Sequence, residues 1–133
     1  MINPNELRLG NYVLHKTGIR IVPVQCSLQH FELLLKGESK NFFPFTLKAE
    51  LLEKCGFTEN KKYPLLPEAR EFKLMLPVIG NSKNEIFAYI KNNKECFGLA
   101  TLNGLPISNS FYNLHQLQNL YFALTGEELA IKL

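Results

Sequence analysis

Along LRLGNYVLHKTGIRIVPV, residues 7–24, apolar positions alternate with polar ones: Leu7 and Leu9, then Tyr12 to Leu14, then Ile19 and Ile21 before the valines. A period of two belongs to a strand with one buried face, so the stretch predicts a β-hairpin. Gly10-Asn11 marks a bulge in its first strand, and His15 to Gly18 mark the turn. HFELLLKGE fits two periods. Phe31, Leu33 and Leu35 alternate as in a third strand ending at Lys36-Gly37, which is the expectation. Leu28, Phe31, Leu34 and Leu35 also match helical spacing, with Ser27 as the cap of a short helix.

In PFTLKAELLEKCGF, Leu47, Leu51, Leu52 and Cys55 share one helical face, and Gly56 stands where a left-handed residue ends a helix. Phe57 is placed for the apolar contact that accompanies such an end. TENKKYPLLPEA, with two prolines and a lysine pair, predicts a loop inside the domain. Three strand-like runs follow, EFKLMLPVI, NEIFAYIK and ECFGLATL, separated by the turn residues Gly80-Asn81-Ser82 and Asn92-Asn93. They predict an antiparallel meander, with Leu105 and Ile107 as a short edge strand because Pro106 cannot donate to a ladder. A helix over the residues after Asn113 comes next, and EELAIKL alternates Leu129, Ile131 and Leu133 as a final strand.

The C-terminal helix is unusual in its polarity. From Cys96 through Gly126 the chain contains no Asp, Glu, Lys or Arg, although a helix on a core normally shows water a charged face. Leu114, Leu117, Leu120, Tyr121 and Leu124 form its apolar stripe. Asn113 and Gln116 have the spacing of a capping box, and Thr125-Gly126 closes the helix. The other side carries His115, Gln118, Asn119 and Phe122. Three roles fit such a face: satisfying buried backbone groups, meeting another protein chain, whose interface cores are poor in charge and rich in aromatics, or contacting a small molecule or nucleic acid.

Composition narrows the rest. At 133 residues, 46% hydrophobic and 20% charged, the chain has the makeup of a globular domain rather than a disordered one. A net charge of +3 is mild for a dedicated nucleic-acid binder. The N-terminus lacks the apolar stretch of a signal peptide, and no apolar run reaches membrane-spanning length, which predicts a cytoplasmic protein with no membrane partner. Cys26, Cys55 and Cys96 are odd in number and far apart, so neither a disulfide framework nor a cysteine zinc site is expected.

No chemistry-bearing motif is present. His15, His30 and His115 are widely separated, without HxxxH or HExxH spacing. Asp is absent from the sequence, and no Gly-rich phosphate loop occurs. Cys55 or Cys96 could meet His115 only through the fold, with no motif to suggest it. Glu127 and Glu128 fit solvated residues after a helix end better than an acid–base couple. Catalytic, cofactor-binding and metal-binding residues are therefore none.

ELRLGNYV at 6–13, PFTLKAELLEKCGF at 44–57 and above all LHQLQNLYFALTGEEL at 114–129 resemble a family of short uncharacterised proteins of Bacteroides-type bacteria, their prophages and other mobile elements. The three motifs cover about a third of the chain, in the family's order. Where the family has Thr then Glu at the start of the second motif's helix, this chain has Lys48 and Ala49, so Thr46 is the expected cap. The resemblance implies an intracellular, mobile-element setting and transfers no site.

The expectation is one α+β domain over residues 1–133. It has an antiparallel sheet, formed by an N-terminal hairpin that resembles the first hairpin of SH3-like small barrels and by a central meander. One short and one main C-terminal helix accompany it. The expected function is that of a non-enzymatic protein-binding module of a mobile element or prophage, contacting itself or another protein through His115, Gln118, Asn119 and Phe122. The alternative is a small nucleic-acid-binding protein using Lys61, Lys62, Lys83, Lys91 and Lys94.

Overall fold

A computed structural model describes residues 2–61, 68–77, 80–92 and 95–133. The fold is α+β, with two antiparallel sheets and three α-helices among the described residues. The chain divides into two compact units, Met1–Thr46 with Asn113–Asn119, and Leu47–Tyr112 with Leu120–Leu133.

In the first unit, β1 (Tyr12–Thr17) and β2 (Arg20–Gln25) form the hairpin, and β3 (Phe42–Phe43) pairs with the other edge of β1. The turn is tighter than expected. Only Gly18 and Ile19 lie between the paired Thr17 and Arg20, and Gly18 takes φ +64° at the first central position, as a type II′ turn requires. The bulge is present: Gly10 N–H donates to the Cys26 carbonyl at 2.9 Å, and Cys26 N–H donates to the Asn11 carbonyl at 2.7 Å, so two residues face one. Residues 7–9 are not part of the strand, and Leu9 is exposed.

HFELLLKGE is a helix, α1 (Leu28–Leu35), rather than the expected third strand. The ends decide it. Ser27 caps the start, and at the finish Gly37 takes φ +88° while its N–H donates to Leu34 and that of Glu38 to Leu33. That pair of bonds is the Schellman closure. Leu34 enters the core with Ile2, Val13, Cys26 and Phe42, and Phe31 and Leu33 pack against its margin.

In the second unit, α2 (Ala49–Lys54) ends the same way. Gly56 N–H donates to Glu53 and Phe57 N–H to Leu52, both at 3.0 Å, with Gly56 at φ +92°. The expected Thr46 cap is not formed; Lys48 is the N-cap and its side chain makes no capping bond. The meander is β4 (Thr58–Asn60), β5 (Ala69–Met75), β6 (Asn84–Lys91), β7 (Glu95–Leu102) and β8 (Leu105–Pro106), neighbours in chain order. The first residues of the expected TENKKYPLLPEA loop are thus strand, and its middle lies outside the described residues. Between β7 and β8, Asn103-Gly104 takes positive φ at both positions, the mark of a type I′ turn.

One face of this sheet is core, with Phe72, Ile86, Ala88 and Ala100 buried. Phe111 covers Gly98, bonded to it in both directions through N–H and carbonyl groups. A methyl there would overlap the Phe111 ring, so glycine is required for this close approach.

The main helix is α3 (Leu114–Thr125), ended by Gly126 at φ +74°. EELAIKL is not a strand. Leu129 is buried, and Lys132 N–H donates to the Lys54 carbonyl at the end of α2 instead of entering a ladder. Three alternating apolar residues carry the strand period, but the period alone provides no edge to pair with.

Candidate functional site

The four residues singled out on α3 divide. His115 and Gln118 are buried at 1% and 2% exposure, Asn119 is half-buried, and Phe122 is 39% exposed. The first three do not look outward: within the first unit they hold the stretch Glu6–Tyr12 that leads into β1. Gln118 Oε1 accepts the Tyr12 N–H at 2.8 Å, and its Nε2 donates to the Gly10 carbonyl at 3.2 Å. Asn119 Oδ1 accepts from Asn11 Nδ2 and Arg8 Nε, and its Nδ2 donates to the Glu6 carbonyl. His115 Nε2 lies 3.2 Å from a Glu6 carboxylate oxygen.

These bonds explain the missing charges. The bulge at Gly10-Asn11 takes the backbone off regular strand pairing, and β3 reaches only Leu14 and His15 of β1. The Tyr12 N–H therefore needs a partner from elsewhere, and the Gly10 carbonyl, which accepts from Gln25 Nε2 at 3.2 Å, has a lone pair for a second donor. One amide side chain serves both, since it donates and accepts; Lys could only donate and Glu only accept. A buried charge would also pay a desolvation cost that an amide avoids. At the helix start Gln116 Oε1 accepts the Asn113 N–H at 3.1 Å, half of the expected capping box.

The outward-facing feature of the first unit is the hairpin. Beyond His15, β1 and β2 pair only with each other among the described residues, and residues 16–23 are exposed. This ribbon carries Ile19 at 100%, Ile21 at 54% and Val22 at 39% exposure, beside Lys16 and Arg20. From Leu7 through Phe31 the chain has no acidic residue. Pro23 occupies the outer strand, where its missing N–H weakens the edge as a template for another strand. Ile19 and Ile21 read in the sequence as core positions of a hairpin. The signal to the contrary was available: a two-stranded ribbon with Lys and Arg on either side of its turn has nothing of its own to cover it.

The second unit's other sheet face holds Glu71, Lys73, Glu85, Phe87, Tyr89 and Phe97, placed together by the register. The Tyr89 ring lies 5.4 Å from Phe97 and 6.3 Å from Phe87, and burial with the neighbouring Glu71 pushes its phenol up to about 12. Glu71 accepts from Asn60 Nδ2 at 2.7 Å, and Glu85 lies 3.4 Å from the Lys73 ammonium and 3.8 Å from that of Lys83. Each carboxylate is thus engaged in local pairing.

Of the lysines considered for nucleic acid, Lys83 is in this pairing, Lys91 faces Glu95 across the ladder and Lys61 is exposed. Lys62 and Lys94 lie outside the described residues. A cleft of about 340 Å³ lies beside α2, lined by Leu47, Lys48, Glu50, Arg70, Ile90 and Cys96. Arg70 is held there by Glu59 through two bonds of 3.0 and 2.8 Å, which keep the Glu59 carboxyl below its usual range.

Cys26, Cys55 and Cys96 are free and buried, and burial alone pushes their thiols up to about 11, 12 and 11. Such thiols are poor nucleophiles at neutral pH. Among the described residues no three His, Cys, Asp or Glu side chains are grouped to hold a metal ion, and no helix is long and apolar enough to cross a membrane. No family model, curated protein or solved structure matches the chain.

Proposed function

We propose that the protein is a non-enzymatic protein-binding module, and that its contact surface is the β1–β2 ribbon. The observation that carries this is the exposure of Ile19 and Ile21 on the part of the ribbon past His15, which has no third strand beside it among the described residues. Large apolar side chains grouped in water mark a surface that another molecule covers. Lys16 and Arg20, in a stretch free of acids, favour a partner whose apolar site has an acidic rim.

The amide face of α3 then serves architecture: it fixes the chain segment from which the ribbon springs. Phe122 stands apart from that role. The mobile-element or prophage setting rests on the resemblance of the three motifs, and the three buried free thiols suit a reducing compartment such as the cytoplasm.

A photo-crosslinking residue at position 19, expressed in the native host, tests the proposal. A specific crosslinked protein, lost on Ile21→Asp substitution while the fold is retained, is the expected result. A folded protein that crosslinks to nothing at position 19, and stays monomeric in light scattering at all concentrations, would overturn it.

A further inference from the structure

His30 sits at the third position of α1 and turns its ring back onto the cap. Its Nδ1 accepts the Ser27 backbone N–H at 3.1 Å and lies 3.0 Å from the Ser27 hydroxyl. A ring nitrogen accepts a hydrogen bond only in the neutral imidazole; once both nitrogens carry protons, both are donors. The glutamate or glutamine usual at this position of a capping box would still accept a bond at mildly acidic pH. Here the acceptor at the start of the helix is an imidazole nitrogen.

A second histidine shares the site. The His15 ring on β1 lies edge-on to His30 at 5.7 Å between centroids, and stacks on Phe42 of β3 at 4.3 Å with the planes 4° apart. His30 meets Phe42 edge-on at 6.1 Å. Opposite His15, β2 places the uncharged Val22, with Arg20 farther along the same face. The turn after α1 supplies Glu38. Burial, then His30, hold the His15 imidazole below its usual range, and Glu38 offsets part of this. Two cations at this separation repel, one carboxylate can neutralise only one of them, and a cation at the start of a helix also opposes the helix dipole.

We propose that Ser27, His30 and His15 form an acid-sensitive latch that seats the start of α1 against the hairpin sheet, closed when both rings are neutral and released as they take protons. The latch stands on its own geometry, whatever the ribbon binds. Because α1 follows directly from β2, release loosens the base of the ribbon.

Amide hydrogen exchange on the full chain, followed by NMR and corrected for the intrinsic pH dependence of exchange, tests it. Between about pH 7.5 and about pH 5.5, protection of the Ser27 and Phe31 amides is expected to fall about fivefold, the equivalent of losing one cap. His30→Gln keeps an acceptor that does not titrate, and its protection should stay level over the same range. His15→Phe keeps a ring on Phe42 and removes the second charge, so the loss of protection at the acid end of the range becomes smaller. Unchanged protection in the wild type, an equal fall in His30→Gln, or ring nitrogen shifts showing a proton on His30 Nδ1 at neutral pH would overturn the latch.

Discussion

Replacing Gln118 with leucine tests whether the α3 amides are architecture. The side chain is 2% exposed and has nearly the volume of leucine, so the change removes two hydrogen bonds with little change of shape. The Tyr12 N–H loses its partner at 2.8 Å, while the Gly10 carbonyl loses Gln118 Nε2 but keeps Gln25 Nε2 at 3.2 Å. A buried backbone group left unpaired costs about 1–3 kcal/mol, and the low half of that range applies because Gly10 and Tyr12 are themselves only half-buried. One such loss and the weakening of a second, less the gain from the added apolar contact, leave a net destabilisation of about 1 kcal/mol. For a chain of this size that lowers Tm by roughly 3–5 °C.

Urea unfolding followed by circular dichroism should show the lower midpoint with an unchanged slope. Gln118→Glu sharpens the test. An ionised carboxylate can accept from Tyr12 but repels the Gly10 carbonyl, whereas the protonated acid serves both. The folded state should therefore hold that proton more tightly than the unfolded state does, and the variant should lose stability relative to wild type as pH rises. A leucine variant within about 0.5 kcal/mol of wild type, or a glutamate variant without this pH trend, would refute the role of Gln118 as a backbone anchor.

Gly98→Ala should destabilise by about 1–3 kcal/mol or more, read by the same urea assay, because the new methyl would overlap the Phe111 ring and lie 2.6 Å from the Phe87 carbonyl. Glu59→Gln should cost under about 1 kcal/mol, since the Arg70 partner is 44% exposed and the pair is screened by water. Its pH signature is signed: Arg70 holds Glu59 below its usual 4.5, so the contribution is present above that value and disappears as pH falls below it. The three thiols should resist a disulfide reagent at about pH 8 in the native protein and react together on unfolding, because burial keeps them protonated.

The predictable parts of this fold are those whose period, turn chemistry and caps agree. The runs that became β5, β6 and β7 are legible because three strand-like segments are separated by Asn- and Gly-containing turns. α2 is legible because Leu51, Leu52 and Cys55 share a face and Gly56 follows. HFELLLKGE misleads because its apolar residues satisfy both periods, and the ends of the segment, Ser27 with His30 and then Gly37, choose the helix. EELAIKL misleads in the opposite way: its period is clear, but the C-terminal segment bonds to the end of α2 instead of to a strand edge.

The candidate surfaces show the same division. By itself the sequence determined that the C-terminal helix carries amides in place of charges, and that the hairpin's only charges are basic. Which of these features meets water was decided by the tertiary structure. The amides reach back across the chain to an N-terminal bulge whose unpaired backbone groups no local pattern reveals. Ile19 and Ile21 are left in solvent because β3 stops at His15. Burial depends on what lies opposite a side chain, and residues distant in sequence supply that.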